Sequence, residues 1–205
     1  MDDDDRSTEY DGTRVLEFFT ERAAGWDARF PDDGPAYDAA VAELGLFPGD
    51  TVLDAGCGTG RALPALRAAV GRQGTVVGVN LTPAMLEVAV LAGRHRGALL
   101  TVADAARLPL RDGVLDAVFA AGLVSHLPDP AAGLRELARV VRPGGRLALF
   151  HPVGRAALAA RHGRPLGPDD PRAEPNLRPL LAAAGWRLVS CADEEHRYFA
   201  LAVRD

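Results

Sequence analysis

Short apolar runs alternate along this chain with stretches of helical spacing. "TRVLEFFTERAAGWDARF" (13–30) puts Val15, Phe18, Phe19, Arg22 and Trp26 along one side of a predicted helix, and "AYDAAVAELGL" (36–46) reads as a second. Pro48-Gly49 breaks the pattern, and five strand-helix units follow. Strands are predicted at 51–54, 75–80, 99–104, 115–122 and 146–152. Helices are predicted at 61–70, 82–94 and 129–141, with Thr82-Pro83 as cap and first helical position. Pro143-Gly144-Gly145 stops the third of these. Residues 163–175, rich in Pro, Gly and charge, read as loop, and 176–185 as a short helix. "WRLVSCAD" (186–193) and "RYFALAVR" (197–204) read as an antiparallel edge hairpin. The strand interiors are continuous apolar runs, as in a parallel sheet covered on both faces.

The 205 residues fit one domain, and 48% hydrophobic composition suffices for a core. The pattern divides it into an N-terminal tail and helix (1–35) and a core (36–205), with a loop region at 151–175. A net charge of −5 argues against a nucleic-acid partner, which needs a basic surface. All 23 basic residues are arginine. The opening "MDDDDRSTEYDGT" lacks the apolar stretch of a signal peptide, and its Asp run reads as disordered. No run approaches the roughly 20 apolar residues of a membrane span. With Cys57 and Cys191 alone, no disulfide framework is implied, so a soluble cytoplasmic protein is expected.

The chemistry concentrates in "TVLDAGCGTGRAL" (51–63). A glycine-rich turn after the first strand of an α/β sheet lets a ligand approach the backbone beyond the strand ends. Gly56, Gly58 and Gly60 give G-x-G-x-G, and Arg61 stands where the dinucleotide fingerprint G-x-G-x-x-G needs its last glycine.

"VLDAGCGTG" resembles motif I of the class I S-adenosylmethionine-dependent methyltransferases. "VVGVNLTPAML", "VADAARLPL" and "LDAVFAAGLVSHLPDPAAGLRELARVVRPGGRLALF" resemble the family's later strand motifs in order and spacing, across roughly 36–204. The resemblance implies a Rossmann-like α/β fold. Its seven-stranded sheet would be mostly parallel, with an antiparallel last strand and helices on both faces. The implied cofactor is S-adenosyl-L-methionine, with S-adenosyl-L-homocysteine as product. Asp54 would then sit near the methionine ammonium. Gly56, Cys57, Gly58 and Gly60 would line the methionyl and ribose part. Leu81 and Met85 would pack on the adenine, Asp104 and Ala105 would meet its amino edge, and Ala121, Gly122 and Ser125 would close the pocket. At the end of the second strand the family usually has Asp or Glu gripping the ribose hydroxyls. Here it is Asn80, which keeps an acceptor oxygen but not the charge.

Each of these residues also has a plain structural reading. The glycines make a tight strand-helix turn, Asp54 and Asp104 are turn or cap residues, and Asn80 ends its strand. Cys57 reads as a small lining residue, since no partner for redox or metal chemistry is spaced near it. His126 and His151 fall just past strand ends on the ligand side, which makes them general-base candidates. His95, His162 and His196 sit among surface-like residues. Phe18, Phe19, Trp26 and Phe30 are core residues or a cofactor lid. Arg155, Arg161, Arg164 and Arg172 either neutralise an acidic substrate or form a solvated face. No metal-ligand spacing stands out.

The expected activity is methyl transfer to a small-molecule acceptor, secondary metabolites among them, because neither the first 35 residues nor 151–175 can form a separate recognition domain. Two alternatives stand beside it. One is a module that binds the cofactor or its product without methylating. The other is a scaffold turned to cyclisation or rearrangement.

Overall fold

The computed structural model describes residues 12–205; the leading Asp run lies outside them. Seven strands form one sheet in the order β3-β2-β1-β4-β5-β7-β6. They are β1 (Thr51–Ala55), β2 (Thr75–Asn80), β3 (Leu99–Val102), β4 (Leu115–Ala121), β5 (Val141–His151), β6 (Trp186–Glu194) and β7 (Arg197–Arg204). β1 pairs in parallel with β2 and β4, as β2 does with β3 and β4 with β5. β7 inserts between β5 and β6, antiparallel to both, so β6 forms the edge of the predicted hairpin.

Among the described residues there are seven α-helices, two before the first strand and five between strands: α1 (Gly12–Arg22), α2 (Gly34–Leu44), α3 (Leu63–Val70), α4 (Pro83–Leu91), α5 (Pro130–Val140), α6 (Arg155–Arg161) and α7 (Glu174–Ala183). Neighbouring strand residues point to opposite faces, so each central strand feeds two cores. On one face Leu53, Val118 and Leu149 meet Leu134 and Leu137 of α5 and Leu177 and Leu181 of α7. Trp186 is fully buried there and donates its indole N–H to the Leu134 carbonyl at 2.9 Å. On the other face Val52, Phe119 and Phe150 meet Leu44 of α2 and Leu63 and Leu66 of α3.

Several boundaries differ from expectation, each for a local reason. The first helix stops at Arg22. Residues Ala23–Gly25 and Asp27–Arg29 continue as two 3-10 turns, and that bend sets the Trp26 and Phe30 rings against each other, centroids 5.4 Å apart. α3 starts only at Leu63, α4 ends at Leu91 and β3 ends at Val102. Thr82 precedes α4 without a side-chain cap; Asp129 caps α5 by accepting the Ala132 N–H at 3.0 Å. Arg142-Pro143-Gly144-Gly145 is not a separate turn. β5 already begins at Val141, and its register with β4 jumps from Leu115–Val141 to Ala117–Arg146, so the segment is absorbed as a bulge. Residues 151–175 are not all loop, because α6 lies within them. Finally, the sheet is not covered throughout: Leu99 and Val102 on the edge strand β3 are exposed.

Candidate functional site

A cavity of about 850 Å³ opens at the C-terminal ends of β1, β2, β4 and β5. Its floor is the turn after β1, where Gly56, Gly58 and Gly60 all have positive φ, at 71°, 54° and 78°. Only glycine enters that region without strain. The turn is pinned from below, because the Cys57 N–H donates to the Val79 carbonyl at 2.9 Å and the Gly60 N–H to the Cys57 carbonyl at 2.8 Å. Gly56, Cys57 and Gly58 line the cavity, but Gly60 does not. A Cβ there would lie 2.8 Å from Leu63 Cδ1 and 3.1 Å from Ala89 Cβ, so Gly60 serves the packing of α3 against α4. Cys57 is buried, and burial followed by the Asp54 charge pushes its thiol well above the ordinary value, which removes it as a nucleophile.

Asp54, the fourth residue of β1, lines the floor at 1% exposure. Its Oδ2 atom has no hydrogen-bond partner. Burial raises its pKa to about 8, with no neighbouring cation to offset it. A buried carboxyl without a partner is costly, and a cationic ligand group would relieve that cost.

Asn80, at the end of β2, is committed to the protein. Its Oδ1 accepts the Gly58 N–H at 3.1 Å and its Nδ2 donates to the Thr82 carbonyl at 3.3 Å. It therefore ties the glycine turn to the start of α4, while still lining the cavity. Leu81 and Met85 stand beside it on the wall. Asp104 and Ala105 form the next stretch, where Asp104 Oδ1 accepts the Ala106 N–H at 2.8 Å. Here the turn-forming role and the cavity-lining place coincide in one residue. Ala121, Gly122 and Ser125 close the β4 side, and Ser125 Oγ donates to the Gly122 carbonyl at 3.2 Å.

His126 and His151 both line the cavity. His126 follows β4 and stands edge-on to the Phe19 ring, with centroids 5.2 Å apart. His151 ends β5, and its Nδ1 lies 2.7 Å from the Val153 carbonyl and 3.0 Å from the Val153 N–H. The carbonyl contact goes with a proton on Nδ1 and a basic Nε2, and the N–H contact with the other tautomer. Burial, then the Arg172 charge, lowers the His126 pKa; burial is also the main cause for His151, with Arg172, Arg161 and His126 adding to it. Both rings are therefore neutral, and available as bases, near pH 7.

The Methyltransferase domain family matches residues 53–149. The methyltransferase GfsG of Streptomyces halstedii is 40% identical over 119 residues, covering 56% of this chain and 42% of its own length. The 27-O-demethylrifamycin SV methyltransferase of Amycolatopsis mediterranei is 38% identical over 116 residues, covering 55% of this chain and 42% of its own. Among solved structures, a SAM-dependent methyltransferase from Aquifex aeolicus superposes with a TM-score of 0.68 at 26% identity, over 82% of this chain and 89% of that one. The chain carries this family's domain over residues 53–149, on the fold of a class I S-adenosylmethionine-dependent methyltransferase. It spans under half the length of the two curated relatives named.

In this chain the opposite wall of the cavity comes from outside the matched residues. Phe19, Trp26 and Phe30 run along it as a chain of rings, with consecutive centroids 5.4 Å apart. Asp27, between them, was not legible as a site residue. Its carboxylate accepts from Thr59 Oγ at 2.7 Å, Arg61 Nε at 3.1 Å and Arg94 at 2.5 Å. Thr59 and Arg61 were visible as neighbours of the glycines, but no spacing rule joins residues 27 and 94. At the outer rim, Arg155 pairs with Asp193 at 2.9 Å and Asp170 at 3.4 Å, and Arg172 pairs with Asp170 at 3.0 Å. Arg161, Arg164 and His162 also edge the cavity, so His162 is not the remote surface residue its surroundings in sequence suggest. Among the described residues, no cluster of His, Cys, Asp and Glu is arranged to hold a metal ion, and no helix is long and apolar enough to cross a membrane.

Proposed function

We propose that the chain binds S-adenosylmethionine against the glycine turn and transfers its methyl group to a small-molecule acceptor. The acceptor would sit between the N-terminal segment, acting as a lid, and α6. The observation that carries this reading is Asp54: a buried carboxyl with an unpartnered oxygen, on the floor of a cavity whose backbone is bared by Gly56 and Gly58. That oxygen fits the ammonium of the cofactor's methionyl part. A cavity of about 850 Å³ lies within the 300–1,000 Å³ range of small-molecule sites. The curated relatives named above are methyltransferases, one of them named for a small-molecule substrate.

When bound, the cofactor supplies an activated methyl group on a sulfonium. The remaining work is positioning. Gly56 and Gly58 would admit the methionyl chain, Leu81 and Met85 would flank the adenine, and Asp104 would meet its amino edge. Ala121, Gly122 and Ser125 bound the reaction side. His151 takes the proton of a hydroxyl acceptor at Nε2, with His126 beside it, and Phe19 and Trp26 keep water out.

Calorimetric titration with S-adenosylmethionine and S-adenosylhomocysteine tests the reading. Micromolar binding is expected, followed by release of S-adenosylhomocysteine with hydroxylated acceptors. Absence of binding at millimolar ligand overturns it. Binding without turnover across a broad acceptor panel points to the non-methylating module, and acceptor loss without S-adenosylhomocysteine points to cyclisation or rearrangement.

A further inference from the structure

The three groups that reach Asp27 come from two separate elements. Thr59 lies inside the glycine turn between Gly58 and Gly60 and is 2% exposed. Arg61 follows that turn directly, and Arg94 follows α4. The contacts extend beyond the carboxylate. Arg61 also donates to the Asp27 backbone carbonyl at 3.1 Å and to the Phe30 carbonyl at 2.5 Å. Arg94 donates in addition to the Thr59 carbonyl at 3.0 Å, which closes a ring of bonds through residues 27, 59 and 94. Arg61 and Arg94 are well screened from solvent, at 11% and 26% side-chain exposure. These are charge-assisted bonds in a sheltered place, and are worth more than an isolated surface pair. Burial alone would raise the Asp27 pKa, but Thr59, Arg94 and Arg61 together hold it below the ordinary carboxylate value.

We infer that Asp27 is a positioning residue that fastens the aromatic wall of Phe19, Trp26 and Phe30 to the cofactor turn, so that cofactor binding and closure of the acceptor chamber are coupled. Besides this clasp the wall rests on α4 through α1 and Ala23–Gly25, on His126 through Phe19, and on an Arg61–Asp33 ion pair at 3.7 Å. Among the described residues, the N-terminal segment contributes no strand to the sheet, and Asp27–Arg29 has no buried residue. Rings on either side of Asp27 are thus located by a polar clasp on the part of the molecule that touches the cofactor. Any ligand that tightens Thr59 and Arg61 tightens the wall, and by linkage the wall tightens the ligand. The coupling to cofactor rests on the methyltransferase reading; the clasp itself does not.

Trp26 provides the test, since Trp186, the second tryptophan, is fully buried. Acrylamide quenching of tryptophan fluorescence therefore reports Trp26. In ligand-free protein Asp27→Ala should raise the quenching constant about twofold or more over wild type, with Asp27→Glu partly restoring it. S-adenosylhomocysteine should protect Trp26 in wild type. In Asp27→Ala the affinity should fall roughly tenfold, and the protection should be lost even at saturation. Arg94→Gln, read in the same way, serves if Asp27→Ala does not fold. Equal quenching of wild type and variant without ligand overturns the clasp. Retained protection by bound S-adenosylhomocysteine overturns the coupling. If wild type does not bind S-adenosylhomocysteine, the methyltransferase reading and the coupling fall, while the ligand-free comparison still decides the clasp.

Discussion

The two walls of the cavity are built by different means. The inner wall is made of strand ends and the turns between them. There Asp54 sits one residue inside the end of β1, Asn80 at the end of β2 and Ala121 at the end of β4. Their positions follow from sheet register, which pairs Asp54 with Gly78 on one side and Phe119 on the other. The outer wall has no ladder behind it. It is held by aromatic contacts and by ion pairs centred on Asp27 and Asp170. A rigid wall can hold an unpartnered carboxyl at a fixed point; a wall of clasps can open to admit a ligand. The first suits a ligand that every turnover shares, and the second suits the acceptor.

The sharpest way to break the comparison is Asp54. Asp54→Ala should weaken S-adenosylhomocysteine binding about 100-fold or more, the scale for truncating one partner of a buried charge pair. The ligand-free protein should not lose stability, because the residue removed is a buried carboxyl without compensation. Calorimetry and thermal denaturation on one sample read both effects. Weak binding accompanied by a lower melting temperature would make Asp54 a structural residue, and the rigid wall would lose its functional point.

A pH experiment sharpens the same contrast. The Asp54 pKa is about 8 in the folded chain and about 4 in an unfolded one. Between those values the native state holds a proton that the unfolded state has released. This contribution to stability is therefore largest at low pH and declines as pH rises from about 4 through 8, by an amount on the order of several kcal/mol. A cationic ligand group would pull the pKa down again, so cofactor binding at pH 7 should release a proton. Titration in two buffers of different ionisation enthalpy measures that proton, and Asp54→Asn should abolish it. Proton uptake, or none at all, would contradict the placement of the ammonium on Asp54.

These predictions concern the wall that sequence reveals well. Thr75–Asn80 and Arg197–Arg204 coincide with the predicted strands, because short apolar runs flanked by glycine and charge leave little choice of boundary. Asp54 and the glycines are legible because a turn bared for a ligand needs its residue types close together in the chain. The outer wall is not legible in that way. α6 reads "RAALAAR", without a cap or an apolar stripe, next to a segment rich in proline and glycine. The clasp joins residues 27, 59, 61 and 94, and only the folded chain brings them together. Gly60 fails in the opposite direction: its motif is right, but its side of the turn faces α4 and not the cavity.

His151 stands where the walls meet, and its replacement should have the next largest effect. His151→Asn should lower kcat on a hydroxyl acceptor about 100-fold and leave S-adenosylhomocysteine affinity unchanged. Because burial lowers the His151 pKa below 6.5, the base form already dominates at pH 7. The wild-type rate should be flat above pH 7 and fall on the acid side. A rate that keeps rising from pH 7 to 9 would assign the proton transfer to another group or to the acceptor itself.

The smallest effect is expected at Asn80, where sequence and structure suggest different answers. By the family resemblance it would be the ribose-gripping residue, and an aspartate would then bind cofactor more tightly. In the folded chain its amide is already divided between the Gly58 N–H and the Thr82 carbonyl. Asn80→Asp would keep the first bond and turn the second into a contact between two oxygens. Stability should fall by about 1 kcal/mol, and S-adenosylhomocysteine affinity should stay within about threefold, the gain in charge offset by the loosened turn. Denaturant titration and calorimetry decide it. A tenfold gain in affinity would mean that the Asn80 side chain leaves its staple to meet the ribose, and that the inner wall is less rigid than its register makes it.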